Sequence, residues 1–421
     1  MLRLVSPSRR SPSRILAAAL LLLALLPAAA NAKERKGAEK VPRYPPSFRL
    51  AVKAAIDKGV VRLKALQAVS GHWGNPAHDQ AMGHTALPLL AMLKAGVPAE
   101  DVHVRRALKA LEGMKMQRVY SVALYLMVIQ ALYQPKLDTL DTDVGRARHK
   151  RVKPKEVRAQ LSKPHAAIVK AGLAYLLRAQ NASGLWAYDE PADATITARD
   201  LSNVQYALLG LRAAADCGFK VKGAVWQTAL RALLEHQDVR GEKIELRRKA
   251  LRDGYAYSSK EQAQQRGFHY TTHKKNGPLG ENTLWNVPAT GSMTTAGIAC
   301  LAICQEGLWR TRKFKGNDRK KSRDAIRDGL AWMQARFTVT ENPDHPRKAH
   351  HLYYLYGLER MGMLTGTRWL GGHDWYKEGA DLLLAMQHAT HGGWGRHVDT
   401  SFGILFLKRA TRGRDTVVLT D

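Results

Sequence analysis

The chain has 421 residues, with 66 Lys and Arg against 36 Asp and Glu, a formal net charge of +30, and three cysteines. Three cysteines give no disulfide framework to read. Cys300 and Cys304 lie one helical turn apart on an apolar stretch, so they read as small buried hydrophobes rather than ligands. The excess of positive charge points to solubility or to attraction for an acidic polymer or anionic surface.

The first 32 residues read as an export leader. Arg3, Arg9, Arg10 and Arg14 precede an apolar run from Ile15 to Leu26, and Ala30-Asn31-Ala32 fits the small-residue cleavage pattern. That run is short for a bilayer span, so a removed leader is expected rather than a transmembrane anchor, placing the protein outside the cytoplasm as a secreted or periplasmic chain. Residues 33–46 are polar and carry Pro42, Pro45 and Pro46, as a flexible lead-in would. Two basic runs, 146–163 and 312–323, sit between apolar segments and read as solvated loop insertions. They lack interleaved aromatics, which with export argues against a nucleic-acid partner.

Periodicity is the dominant signal. Gly59, Leu63 and Gln67 share a Gly-x3-Leu-x3-Gln spacing with Gly172, Leu176 and Gln180, and with Gly379, Leu383 and Gln387. A fourth copy keeps Gly329 and Met333 but places Gln334 one position late. Steps of four put these residues on one helical face, where glycine lets a neighbouring helix approach. Two of the glutamines open a Q-x3-G-x-W turn, QAVSGHW and QNASGLW, and Gln387 opens QHATHGGW with one residue inserted. The amide can hold backbone groups at a helix end, the glycine can take positive φ and the tryptophan can cover the join, so a structural role suffices for all three turns.

Taken in chain order, outer helices are predicted over 47–67, 101–113, 165–180, 224–236, 322–336 and 374–387. Each is followed by an inner, more uniformly apolar helix: 84–96, 120–133, 202–215, 292–304, 350–362 and 399–410. The spacing from Gln67 to Gln180 is close to two such units, and from Gln180 to Gln387 close to four. Six hairpins close into an all-α (α/α)6 toroid over 47–410, with 411–421 as a C-terminal tail. An open solenoid would need polar end caps, whereas the last repeat carries a full motif.

The Q-x3-G-x-W turns resemble the QW motif of squalene-hopene and oxidosqualene cyclases. From 47 to 410 the chain is similar to the prenyltransferase and squalene-oxidase repeat group. RDLSNVQYALLGLRAA, HHLYYLYGLERMGMLTG and DTSFGILFLKRA look like segments of exported bacterial proteins of that group. The resemblance implies the toroid and leaves the activity open. The D-x-D-D acid motif and the magnesium-binding D-D-x-x-D motif are both absent, because no two aspartates are adjacent anywhere. The nearest approach is Asp138, Asp141 and Asp143. Asp216 and Cys217 are neighbours, so the Asp-x-Cys pair that holds zinc in protein prenyltransferases is missing too. Ordinary terpenoid cyclisation and prenyl transfer are therefore not expected, and no cofactor is implied.

In such a toroid the inner helices begin at one rim, where their positive dipole ends favour an anionic ligand. His351, Asp200, Asp399 and Tyr120 are the candidate catalytic residues, and His84, Asn203, His350 and Tyr354 the candidate ligand-binding ones. Asp200 and Asp399 suit helix capping equally well. His350-His351 opens a helix carrying Tyr353, Tyr354 and Tyr356, which would set a base beside phenolic donors. His388, His391, His397 and Asp399 cluster in the final turn, but their spacing fits no zinc pattern, so no metal is assigned. The leading expectation is a ligand in the central cavity. The alternatives are a lyase or hydrolase acting on an acidic polysaccharide, a lipid or terpenoid enzyme, and a non-enzymatic interaction platform.

Overall fold

A computed structural model describes residues 39–40, 44–134, 152–191, 200–252, 255–271, 288–347, 349–411 and 413. The leader 1–32, the start of the first basic run and the 137–143 stretch lie outside these residues. The described chain is mostly helical, with one small sheet.

The outer helices are α1 (Pro46–Leu66), α3 (Val102–Glu112), α6 (Lys163–Arg178), α8 (Gly223–Leu234), α10 (Gly316–Ala335) and α12 (Trp375–Met386). The inner helices are α2 (Ala81–Ala95), α4 (Val119–Tyr133), α7 (Leu201–Asp216), α9 (Gly291–Arg310), α11 (His351–Thr365) and α13 (His397–Leu407). These twelve fall on the twelve predicted segments. A short helix, α5 (Pro154–Gln160), was not expected.

The two sets differ in burial as their sequences do. Helix α9 is buried from Gly291 to Leu308, and α7 is buried except at Ala215. A helix apolar on every side must be enclosed on every side. Outer helices bury one face only, as α3 does with Val104, Ala107 and Leu111. Each inner helix packs on the next: α2 on α4, α4 on α7, α7 on α9, α9 on α11, α11 on α13, and α13 on α2. The succession of contacts returns to its start.

The repeated turns act alike in three places. Trp73, Trp186 and Trp394 each donate from Nε1, at 2.8 Å, to the carbonyl of the leucine in the preceding motif, Leu63, Leu176 and Leu383. Gln67, Gln180 and Gln387 each donate twice from Nε2. One bond closes their own turn on Gly71, Gly184 or Gly392, and the other reaches the following outer helix at His103, Val225 or Ala55. Ala55 belongs to α1, so Gln387 ties the last outer helix to the first. The three turn glycines have φ of 92°, 83° and 70°, which a side chain would strain. On the helix itself, a Cβ on Gly379 would lie 2.4 Å from the Phe406 ring, so only glycine lets α12 settle on α13.

The expectation of an all-helical chain fails between α8 and α9. There β2 (Lys243–Arg252) and β3 (Tyr255–Gln264) pair antiparallel from Lys243 with Gln264 to Arg252 with Tyr255. Their alternating charged residues mark a ribbon with one face in water. Short strands β1 (Glu39–Lys40), β4 (Thr367–Leu370) and β5 (His373–Asp374) extend it in the order β1-β3-β2-β4-β5. The lead-in is thus partly structured: β1 pairs with β3, and Tyr44 donates to Asp374 at 3.0 Å.

The sheet explains why Gln334 departs from the repeat. It accepts from Arg247 N at 2.8 Å and donates to Glu245 O at 3.0 Å, docking on β2 instead of closing a turn. At the preceding junction Gln237 plays the turn role for α8, donating to Arg266 O and to Ala325 O of α10. The basic runs are less loop-like than expected. Residues 154–160 form α5, and Arg319 to Arg323 belong to α10, whose Asp318, Ser322, Ala325 and Ile326 are buried while its lysines face outward.

Candidate functional site

The polar residues at the starts of the inner helices separate into three groups. The first surrounds Asp200, which caps α7. Its Oδ1 accepts from Ser202 N at 2.9 Å, Asn203 N at 3.1 Å and Ser202 Oγ at 2.6 Å, while Oδ2 accepts from the Tyr270 hydroxyl. Such a carboxylate is satisfied as a cap. Burial, then the Asp200 charge, raises the Tyr270 phenol well above its ordinary range. Tyr120, in the first turn of α4, stacks on Tyr206 of α7 with centroids 3.9 Å apart. Burial raises the Tyr120 phenol, followed by the neighbouring Tyr353 and Tyr206 and the charge of Asp200. Tyr120 and Asp200 are thus brought together, with Tyr206 and Tyr353 between the helices.

Beneath them lies Arg360 of α11, fully buried. Its Nη2 donates to Gln205 Oε1, and the guanidinium sits 3.9 Å above the Tyr356 ring and 5.4 Å from that of Tyr206. Phe402 of α13 closes the far side, stacked on Tyr356 at 5.6 Å and edge-on to Tyr353 at 5.8 Å. Asn203 is fully buried, and neither of its amide atoms has a hydrogen-bond partner. The buried hydroxyls of Thr85 and Ser121, near the starts of α2 and α4, also lack partners.

The second group is His350 and Asp399. His350 precedes α11 in the left-handed region at φ 62°, with its ring 5.5 Å from that of His345. Asp399 lies in the first turn of α13, whose N-cap is Arg396 rather than Asp399. Burial raises its carboxyl, against the pull of the Arg396 backbone and charge, its own backbone N–H, and His350. The third group is His84 and His397, with Nδ1 and Nε2 3.2 Å apart across the α2–α13 contact, and the His78 ring tilted against that of His84 at 5.5 Å. Burial, then His84 and Arg396, lowers His397 to about 4. Next to His78 a cleft of about 420 Å³ is lined by His72, Asp79, Met82, Met114, Lys115 and Gln117.

Two candidates are committed to packing. His351 Nε2 lies 2.7 Å from Val339 O, and the buried Tyr354 donates to Thr338 O at 2.8 Å. Both hold α11 to the segment after α10, and the bond to Val339 O takes up His351 Nε2. His388 and His391 stack on each other at 3.7 Å, apart from the His84–His397 pair. Sequence reasoning missed Arg360, Gln205 and Tyr206. The signal was a charged pair, Glu359-Arg360, inside an otherwise apolar inner helix.

Searches against protein-family models and against curated proteins found no match to this chain.

Proposed function

We propose that the chain is an exported, six-hairpin α/α toroid of the squalene-cyclase and prenyltransferase-repeat kind, and that it binds a ligand where the first turns of its inner helices meet. The cyclic succession of inner-helix contacts supports the toroid, as does the Gln387 bond to Ala55 between the last and first outer helices. No described helix is long and apolar enough to cross a membrane.

One observation carries the binding role. Tyr120, Tyr206 and Tyr353 come from three inner helices, lie together beside Asp200, and adjoin Arg360 and Gln205, whose Nε, Nη1 and Nε2 the protein itself leaves without partners. Buried polar groups are ordinarily satisfied, because each one left alone costs about 1–3 kcal/mol. A fold that retains several in one place has a use for them. The reading is one of binding and contains no reaction.

Native mass spectrometry of protein purified from its own envelope tests this. Wild type should carry a small molecule, and Tyr120→Ala should carry less of it. Bare wild-type protein, or one retaining only a stoichiometric protein partner, would replace the reading with that of a platform.

A further inference from the structure

A guanidinium keeps its charge at every accessible pH, so burying one calls for an anion or for strong compensation. Among the described residues no carboxylate lies within ion-pair distance of Arg360, and only Nη2 is hydrogen bonded. Glu359, its neighbour in sequence, turns elsewhere and accepts from Thr411 N at 2.8 Å and Thr411 Oγ1 at 2.7 Å. Burial pushes the Glu359 carboxyl up to about 7, against the pull of its Thr411 hydrogen bonds and the Arg360 charge, so near neutral pH it is only partly ionised.

The groups around the guanidinium share one character. Arg360 Nε and Nη1 and Gln205 Nε2 are buried, able to donate and without a partner in good geometry, and the buried hydroxyls of Tyr206 and Tyr353 lie beside the guanidinium. Tyrosine faces compensate part of the cost through cation–π contact, but they satisfy no N–H bond. A cluster of donors with a fixed positive charge and aromatic walls complements an oxygen-rich anion.

We propose that Arg360, Gln205, Tyr206 and Tyr353 form an oxyanion subsite that takes the carboxylate or phosphate group of a ligand entering past Tyr120. This rests on the ligand-binding reading above and adds the charge class of the ligand. The aromatic lining, Tyr356 and Phe402 included, suits an apolar body attached to that head group.

Thermal unfolding at constant ionic strength, with laurate, acetate or inorganic phosphate replacing chloride, tests the proposal. At least one probe should raise the wild-type midpoint saturably. Laurate acting alone identifies a tailed carboxylate, whereas acetate or phosphate acting as well identifies recognition of the free head group. Arg360→Met should abolish the response and unfold no earlier than wild type in chloride, because it removes an unpaired buried charge. If that variant does not fold, Gln205→Leu serves, and should weaken apparent affinity by about tenfold. A wild-type midpoint indifferent to all three anions, or an Arg360→Met variant that responds like wild type, overturns the subsite. A neutral molecule that co-purifies with wild type and is depleted in Tyr120→Ala, with no anion response, removes this inference and leaves the binding reading intact.

Discussion

Trp186 offers the most direct test of the repeat. It is fully buried, and its Nε1 donates to Leu176 O at 2.8 Å. Replacing it with Ala removes a large apolar volume from a junction that has no means of collapsing, worth about 3–5 kcal/mol. The orphaned Leu176 carbonyl adds about 1 kcal/mol. Unfolding entropy of roughly 2.1 cal/mol/K per residue makes each degree worth roughly 0.8 kcal/mol in a chain of this size, so the midpoint should fall by about 5–7 °C. Trp186→Phe keeps most of the apolar volume and loses the N–H, and should fall by only about 1–3 °C. Differential scanning calorimetry of both variants, with Trp73→Ala and Trp394→Ala for comparison, gives the answer. An unchanged midpoint in Trp186→Ala would refute the account of the turn. Equal losses in the Phe and Ala variants would show that the hydrogen bond, not the packed volume, carries the energy.

Gln387→Met should cost about 1–3 kcal/mol by denaturant titration, since Ala55 O and Gly392 O both lose their donor, and Gln180→Met should cost about the same. A free substitution at Gln387 beside a costly one at Gln180 would mean that the last junction carries no load. His397 predicts a pH dependence. Its folded-state pKa of about 4 lies below the unfolded value, so its contribution is full above about pH 6.5 and is lost as pH falls from there to 4. The size is on the order of 2 kcal/mol after allowance for the solvent that reaches the imidazole. Wild type should lose correspondingly more stability than His397→Gln between pH 7 and pH 4, and parallel curves would contradict the assignment.

The helical frame was legible because its cues are local. Gly-x3-Leu-x3-Gln fixes a helical face, and the turn that follows fixes an end, so all twelve segments could be placed, the start of α10 and the end of α9 being the furthest off at six residues each. The ribbon was not legible for the opposite reason. Strands β2 and β3 are rich in Arg, Lys, Glu and Gln, with few of the β-branched residues that announce a strand. Their insertion also parts Gln237 from Gly267 and Phe268, which hides a turn of the same kind. The site was legible only in outline. That polar residues gather at inner-helix starts follows from the pattern, and Tyr120 and Asp200 do meet. What His351 and Tyr354 bind depends on the 337–340 segment, whose path no periodicity encodes.

The limit is physical. A half-buried helix records its environment in its own sequence, because its apolar stripe points to the core and its charges to water. An inner helix enclosed on all sides has no such contrast, so hydropathy cannot distinguish a face that meets a neighbour from one that meets the interior. Only the polar exceptions carry that information. Arg360 is the strongest of them in α11, since neither propensity nor apolar packing calls for a guanidinium there. The same reasoning applies to Asn203, Gln205 and Ser121, which an apolar residue of similar size would replace at no cost to burial. Where a fold defined by repetition keeps polar groups that repetition does not require, those groups mark the part of the molecule that answers to something other than the fold.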